Sequence, residues 1–155
     1  MSYTVERGRL LAPGLAPLYQ SVSPLSYPAM RFIAGAILIP HGYGKLFGGA
    51  APLVANNILS KLGFPMPQAW AYWLGLLELV GGAMLAIGLL TRPVALLLVI
   101  EFVVITFFWN VRFGFAFTAP GGGFEYPLVL LVLYAAIFFR GGGRYSLDQL
   151  IGREL

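Results

Sequence analysis

Ionisable side chains occur inside two long apolar runs of this sequence, at His41, Lys45 and Glu78. A charge within a lipid bilayer is energetically costly, so an ionisable residue at membrane depth is a candidate functional residue by default. Imidazole and ammonium groups donate hydrogen bonds, and a carboxyl group carries a proton when neutral. This combination indicates a site that binds a polar ligand group and relays protons. A hydrogen-bonded pair with a purely structural role is the alternative.

The elements that must position these residues are membrane-spanning helices. The chain has 155 residues, of which 59% are hydrophobic and 10% charged, whereas a soluble domain is about 25% charged. A spanning helix needs about 20 mostly apolar residues. Four segments qualify, at about 28–48, 68–90, 93–113 and 123–140. We therefore predict an all-α, integral membrane four-helix bundle that forms a single domain over residues 1–155.

A short amphipathic helix is expected after the last span, at about 147–154. The stretch "SLDQ" has the pattern of a capping box, with Ser146 as the cap and Gln149 reaching back to it.

The distribution of basic residues predicts the orientation of the bundle. With four spans, the N-terminus, the second connection and the C-terminus lie on one side of the membrane. That side carries seven arginines: Arg7, Arg9, Arg31, Arg92, Arg140, Arg144 and Arg153. The other side carries three basic residues: Lys45, Lys61 and Arg112. Because cytoplasmic segments carry the excess of Lys and Arg, both termini are predicted to be cytoplasmic.

Helical periodicity places polar and small residues on two facing stripes. On the first span the stripe contains Arg31, Ala34, Leu38, His41 and Lys45. On the second span it contains Ala71, Gly75, Glu78, Gly82 and Leu85. Glycine allows the backbones of neighbouring helices to approach closely. We therefore expect these stripes to form an interior seam where His41 and Lys45 face Glu78.

Polar residues of the other two spans converge on the same end of the bundle. Trp109 and Asn110 end the third span there, and Glu125 and Tyr126 begin the fourth. At about 1.5 Å per residue, Glu78 lies about 15 Å from this end. A polar pocket is thus predicted in the outer half of the bundle. Glu101 is expected to face elsewhere, since it precedes Asn110 by nine residues, or two and a half helical turns.

Several kinds of site are excluded or disfavoured by composition. The chain has no cysteine, so it has no disulfide, iron–sulfur cluster or thiolate metal site. A single histidine excludes bis-histidine haem, and His41 with Glu78 falls short of a usual metal ligand set unless Glu125 joins them, so no metal is predicted. No basic run or motif indicates nucleic acid as a partner.

The order and spacing of several short stretches resemble the DoxX family over residues 28–148. They are "RFIAGAILIPHGYGKLFG", "LLELVGGAMLAIGLLTRPVALLLVI", "GGGFEYPLVLLVLYAAIFF" and "GGGRYSLD". The family's His-Gly-x-x-Lys motif corresponds to His41, Gly42 and Lys45, and its Glu-x-x-Gly-Gly motif corresponds to Glu78, Gly81 and Gly82. Arg92 follows the family's turn, which ends here at Thr91. Glu125 and Tyr126 match the Glu-Tyr pair before the family's last helix.

This resemblance implies a small, multi-pass protein of the bacterial or archaeal cytoplasmic (inner) membrane. It is similar to the DoxD and MauE-like redox-associated proteins, whose relatives are linked to quinone-coupled oxidation of sulfur compounds and to oxidative-stress complexes. The expectation is a quinone-dependent oxidoreductase, or the membrane subunit of one, with a soluble or membrane redox partner. The lipid bilayer is its other partner.

A quinone headgroup has two oxygens that accept hydrogen bonds and take up protons on reduction. We predict His41, Lys45 and Glu78 as the catalytic residues, with the first two as donors and Glu78 as the proton relay. Trp109, Asn110, Glu125 and Tyr126 are the predicted cofactor-binding residues. A non-enzymatic membrane anchor or assembly subunit is the alternative function. A small-solute or proton pathway is less favoured, because the sequence shows no inverted repeat.

Overall fold

The computed structural model describes residues 7–152, and this part of the chain contains helices and no strand. The α-helices are α1 (Ala16–Ala36), α2 (Leu38–Leu46), α3 (Ala50–Val54), α4 (Pro67–Leu76), α5 (Gly82–Ile87), α6 (Thr91–Val103), α7 (Glu125–Arg140) and α8 (Leu147–Ile151). Three π-helical segments extend α3, α4 and α6, at Ala55–Leu59, Leu77–Gly81 and Val104–Trp109. Short 3₁₀ turns lie at Arg7–Arg9, Pro13–Leu15 and Asn110–Phe113. The predicted all-helical class is confirmed.

Three helical stretches in the described range are long and apolar enough to cross a membrane. They are Pro13–Leu46, Pro67–Ile87 and Thr91–Phe113. Each overlaps one of the first three predicted spans. The fourth predicted span corresponds to α7, whose 16 residues fall below the usual length of about 20. The structure therefore shows a protein with several membrane-length helices, while the fourth span stays a prediction.

The first long helix begins well before the predicted boundary at about residue 28. Helix α1 starts at Ala16 and continues through Pro24 and Pro28. Proline removes a backbone hydrogen bond and usually ends a helix in water. Membrane helices tolerate it because neighbouring groups satisfy the freed carbonyls. The apolar stretch Pro13–Leu46 therefore has 34 residues.

Glycines bring the first long helix into direct backbone contact with the second. A Cβ atom added at Gly35 would lie 2.3 Å from the carbonyl oxygen of Gly82. A Cβ at Gly42 would lie 2.6 Å from the carbonyl oxygen of Gly75. Neither distance leaves room for a side chain, so the predicted close approach of these helices is confirmed.

Helix α6 packs along α7, and both join the first two long helices around one apolar core. The buried members of this core come from all of these helices: Tyr27, Ala34, Leu38, Leu77, Leu85, Val94, Ala95, Leu98, Phe102, Leu130, Tyr134 and Ile137. The five residues of the predicted second-span stripe are all buried.

The segment 141–152 docks against the end of the bundle where α6 begins. The buried Arg31 guanidinium donates hydrogen bonds to the carbonyl oxygens of Gly142 and, at 2.9 Å, Tyr145. The Asp148 carboxylate accepts from the backbone N–H groups of Leu90 at 2.7 Å and Thr91 at 2.9 Å. Asp148 thereby caps α6 from a distant part of the chain.

The predicted cap by Ser146 is present at the start of α8, while Gln149 reaches back one residue further than a capping box requires. The Ser146 hydroxyl accepts a hydrogen bond from the Gln149 backbone N–H at 3.1 Å. The Gln149 side chain reaches back to the backbone N–H of Tyr145, also at 3.1 Å. Helix α8 ends at Ile151, and the last residues of the predicted helix 147–154, like Arg153, lie outside the described residues.

Candidate functional site

A cavity of about 850 Å³ lies between α4, α6 and the segment that follows α3. All three π-helical segments of residues 7–152 contribute to its wall. The lining residues in these segments are Ile58 and Leu59, Leu77 and Glu78, and Val104, Ile105 and Trp109. A π-helical turn inside an α-helix is rare and is frequently found at functional sites. The coincidence of all three with one cavity makes it the candidate site.

An ion pair forms part of the cavity wall. The Lys45 ammonium donates to the Glu78 carboxylate, and the two side chains are 14% and 5% exposed. Gly75 makes this pair possible, because a Cβ there would lie 2.9 Å from the Cβ of Lys45. The stem of Lys45 therefore passes over a position that has no side chain. The predicted proximity of Lys45 and Glu78 is confirmed by this contact.

Glu101 is a second acidic residue of the cavity. It lies on α6, is 6% exposed, and lines the same cavity as Glu78. Its Oε2 atom is buried and has no hydrogen-bond partner among residues 7–152. Lys45, Glu78 and Glu101 thus form a cluster of one base and two acids, which we call the charged cluster.

The expectation that Glu101 and Asn110 face different sites was wrong, because both residues line the cavity. The reason is the π-helical segment Val104–Trp109 between them. Its hydrogen bonds span five residues, so each residue turns through a smaller angle than in an α-helix. The nine-residue separation therefore does not put the two side chains on opposite faces. A single Glu within an otherwise apolar helix was the feature of the sequence that could have indicated Glu101 as a site residue.

Aromatic side chains form part of the cavity wall. Trp70, Trp73 and Trp109 all line it. Trp70 packs edge-on against Phe64, with ring centroids 5.7 Å apart. The Asn110 amide donates to the carbonyl oxygens of Gly122 at 2.8 Å and Gly123 at 3.4 Å. Trp109 and Asn110 therefore reach the cavity as predicted, and Asn110 also anchors the loop that precedes α7.

His41 does not lie in the cavity. Its side chain is exposed on α2, and the neighbouring Gly42 is buried against α4 instead. The expected inward position of His41 was therefore wrong. Leu38 is buried, and both the third and the fourth residue after it fall near the same helix face. Gly42 takes the contact because only glycine fits against the backbone of α4.

Glu125 and Tyr126 also lie away from the cavity lining. The loop before α7 folds back on itself, with the Phe124 N–H donating to the carbonyl oxygen of Gly114 at 3.0 Å. The exposed Glu125 carboxylate accepts from the Phe117 backbone N–H at 3.1 Å, and the Tyr126 ring packs against Phe117. Both side chains thus stabilise their own loop, and the pocket predicted to include them is formed without them.

Within residues 7–152, no three His, Asp or Glu side chains are grouped as metal ligands. The charged cluster offers an ammonium donor and two carboxyl groups, set in a wall that is otherwise almost entirely apolar.

These features describe an all-helical membrane protein with a largely apolar cavity. The DoxX family model matches residues 28–111, which is more than half of the chain, and the chain belongs to the DoxX family of integral membrane proteins. An uncharacterized protein of Haemophilus influenzae is 29% identical over 121 residues, covering 77% of this chain and 86% of that protein. No solved structure matches the chain. The matched region includes the whole charged cluster.

Proposed function

We propose that this DoxX family protein binds a lipid-soluble quinone in the cavity and acts as the membrane subunit of an oxidoreductase. The observation that carries the proposal is the charged cluster of Lys45, Glu78 and Glu101 in the wall of a large apolar cavity. A quinone is complementary to such a cavity, because it has a polar headgroup and an apolar tail.

The residues present fit such a ligand. Sites for small molecules have volumes of about 300–1,000 Å³ and few polar groups, and this cavity has about 850 Å³. The Lys45 ammonium is a hydrogen-bond donor for a carbonyl oxygen. Trp109 lines the same cavity and offers an aromatic surface there. The unpartnered Oε2 atom of Glu101 is a polar atom that a ligand would satisfy.

The rim of the cavity favours entry from the bilayer. Trp70, Trp73, Leu97 and Ile100 line the cavity and are also exposed. They lie on the sides of two helices of membrane length, where lipid is the surrounding solvent. An apolar opening at this place admits a lipid-soluble molecule more readily than a hydrated one.

A bound quinone supplies two oxygens that accept two electrons and two protons on reduction. In this proposal Lys45 donates a hydrogen bond to one oxygen, and Glu78 holds the ammonium in place. Trp109 restricts the headgroup to one plane, and the apolar wall excludes water. The electrons come from a reduced substrate or from a redox partner subunit.

The proposal includes the arrangement of the chain in the membrane. Helix α7 packs along α6 and forms the fourth span together with its flanking residues. Residues 1–155 then form one domain in a bacterial or archaeal cytoplasmic membrane, with both termini in the cytoplasm.

The test is quinone binding to the purified protein in lipid nanodiscs. Decylubiquinone, a quinone with a short tail, is titrated while tryptophan fluorescence is recorded, since three tryptophans line the cavity. We expect saturable quenching in the wild type and in Lys61→Met, which removes an exposed lysine. Lys45→Met is expected to weaken binding at least tenfold. Absence of saturable quenching in the wild type contradicts the proposal.

A non-enzymatic anchor or assembly subunit is a second candidate, and His41 favours it. The imidazole is exposed on a helix of membrane length and forms no hydrogen bond within residues 7–152. A partner subunit that covers α2 would satisfy it. Under this alternative, His41→Ala reduces recovery of a stoichiometric partner from native membranes, whereas decylubiquinone does not quench the wild type.

A further inference from the structure

We propose that Glu101 is a protonated carboxylic acid that donates a hydrogen bond to an acceptor oxygen of the ligand in the cavity. This inference rests on the proposed function for the identity of the ligand. It adds a binding residue that the sequence did not assign, and it narrows the ligand to molecules with an acceptor oxygen, such as a carbonyl, next to Glu101.

The charge balance of the charged cluster requires one proton. Lys45 contributes one positive charge, and two ionised carboxylates would leave a net negative charge in an apolar environment. An uncompensated buried charge is strongly unfavourable. Two carboxyl groups in the wall of one apolar cavity also do not both ionise readily, because like charges repel. One proton makes the cluster neutral, with one carboxylate left to balance Lys45.

The geometry assigns this proton to Glu101. Glu78 accepts a hydrogen bond from the Lys45 ammonium, and a carboxylate is the favoured partner for a cation. Glu101 has no such cation in contact, and its Oε2 atom lacks a partner among the described residues. Glu101 lines the cavity, so a ligand oxygen placed there would accept its proton in a hydrogen bond.

The remaining titratable groups near Glu101 do not change this assignment. Tyr134 of α7 is buried, and its phenol is uncharged at neutral pH. The Tyr134 hydroxyl already donates to the Ala34 carbonyl oxygen at 3.0 Å, and its ring packs against Phe102. Lys45 is therefore the cation that balances the pair.

Infrared spectroscopy of the protein in nanodiscs tests the assignment, because a protonated carboxyl group has its own C=O stretching band. At neutral pH we expect this band in the wild type, its loss in Glu101→Gln, and its retention in Glu125→Gln. Glu125 is the matched control, since it is exposed and lies outside the cavity. A wild type without the band, or a band unchanged in Glu101→Gln, overturns the inference.

Two further measurements distinguish a wrong assignment of the proton to Glu101 from misfolding of the variant and from failure of the proposed function. Glu101→Asp keeps a carboxyl group and is expected to keep a shifted band, so loss of the band through misfolding is distinguished from loss of the acid. Adding decylubiquinone should shift the wild-type band. Quenching of tryptophan fluorescence without this shift overturns the hydrogen bond to the ligand. Absence of quenching, with the band still lost in Glu101→Gln, contradicts the proposed function and supports the protonated Glu101.

Discussion

At the scale of single residues, the Lys45–Glu78 ion pair depends on both of its members. Lys45→Met keeps most of the apolar stem and removes the ammonium. We expect this change to lower the free energy of unfolding by about 3–5 kcal/mol, because it leaves a buried carboxylate without its partner. Equilibrium unfolding in mixed detergent micelles, followed by circular dichroism, measures the change.

The double variant Lys45→Met/Glu78→Gln is the control for this prediction. It removes both charges, so it should recover most of the stability that the single variant loses. Lys61→Met should behave like the wild type, because Lys61 is exposed. A double variant as unstable as Lys45→Met would show that packing of the lysine stem, and not the charge, stabilises this region.

The sequence predicted this pair but not its neighbours. The spacing of Lys45 and Glu78 on two apolar helices was sufficient, since a buried charge needs a partner. The same spacing did not distinguish His41 from Gly42 as the inward residue. That choice depends on how closely α2 approaches the backbone of Gly75, which is a property of two helices together. Burial of Glu101 beside Glu78 depends in the same way on packing.

At the scale of helices, the contact between α2 and α4 requires glycine at position 42. An added methyl group would lie 2.3 Å from the backbone nitrogen of Leu79. Backbone atoms cannot move aside as a flexible side chain can. We expect Gly42→Ala to lower the free energy of unfolding by about 1–3 kcal/mol through overpacking, measured by the same detergent titration.

Gly44→Ala is the matched control on the same helix. No atom lies within 4 Å of a Cβ at Gly44, and alanine is favoured over glycine in a helix by about 1 kcal/mol. This variant should be as stable as the wild type or more stable. A Gly42→Ala protein with the stability of Gly44→Ala would contradict the close contact described between α2 and α4.

The helices themselves were predictable, but their π-helical segments were not. Long apolar runs and turn residues locate helices in a sequence. Whether a backbone hydrogen bond spans four or five residues is decided by packing against neighbours, and the stretch Val104–Trp109 has no residue pattern that indicates it. For the same reason, the cap that Asp148 provides for α6 could not be inferred, since the two segments lie far apart in the chain.

At the scale of the whole molecule, the proposed orientation can be tested with single cysteines, because the chain has none of its own. In intact bacterial cells, a membrane-impermeant maleimide should label Lys61→Cys from outside. Arg144→Cys should be labelled only after the membrane is made permeable, because the proposed four spans would place the C-terminal segment in the cytoplasm. Both positions are exposed.

Labelling of Arg144→Cys in intact cells would contradict this topology, since α7 would then not cross the membrane or the bundle would be inverted. Labelling at Lys61 distinguishes these outcomes. An inverted bundle leaves Lys61→Cys protected, whereas a missing fourth span changes only the result for Arg144→Cys.

The π-helical segment Val104–Trp109 also affects how insertions and deletions in relatives should be interpreted. Deleting one residue from it would restore an ordinary α-helix, and eight α-helical steps of about 100° would then separate Glu101 from Asn110. Eight such steps leave the two side chains about 80° apart around the helix, so Trp109 and Asn110 would keep facing the cavity. A one-residue alignment gap between positions 104 and 109 would therefore mark a relative with a regular helix and the same cavity.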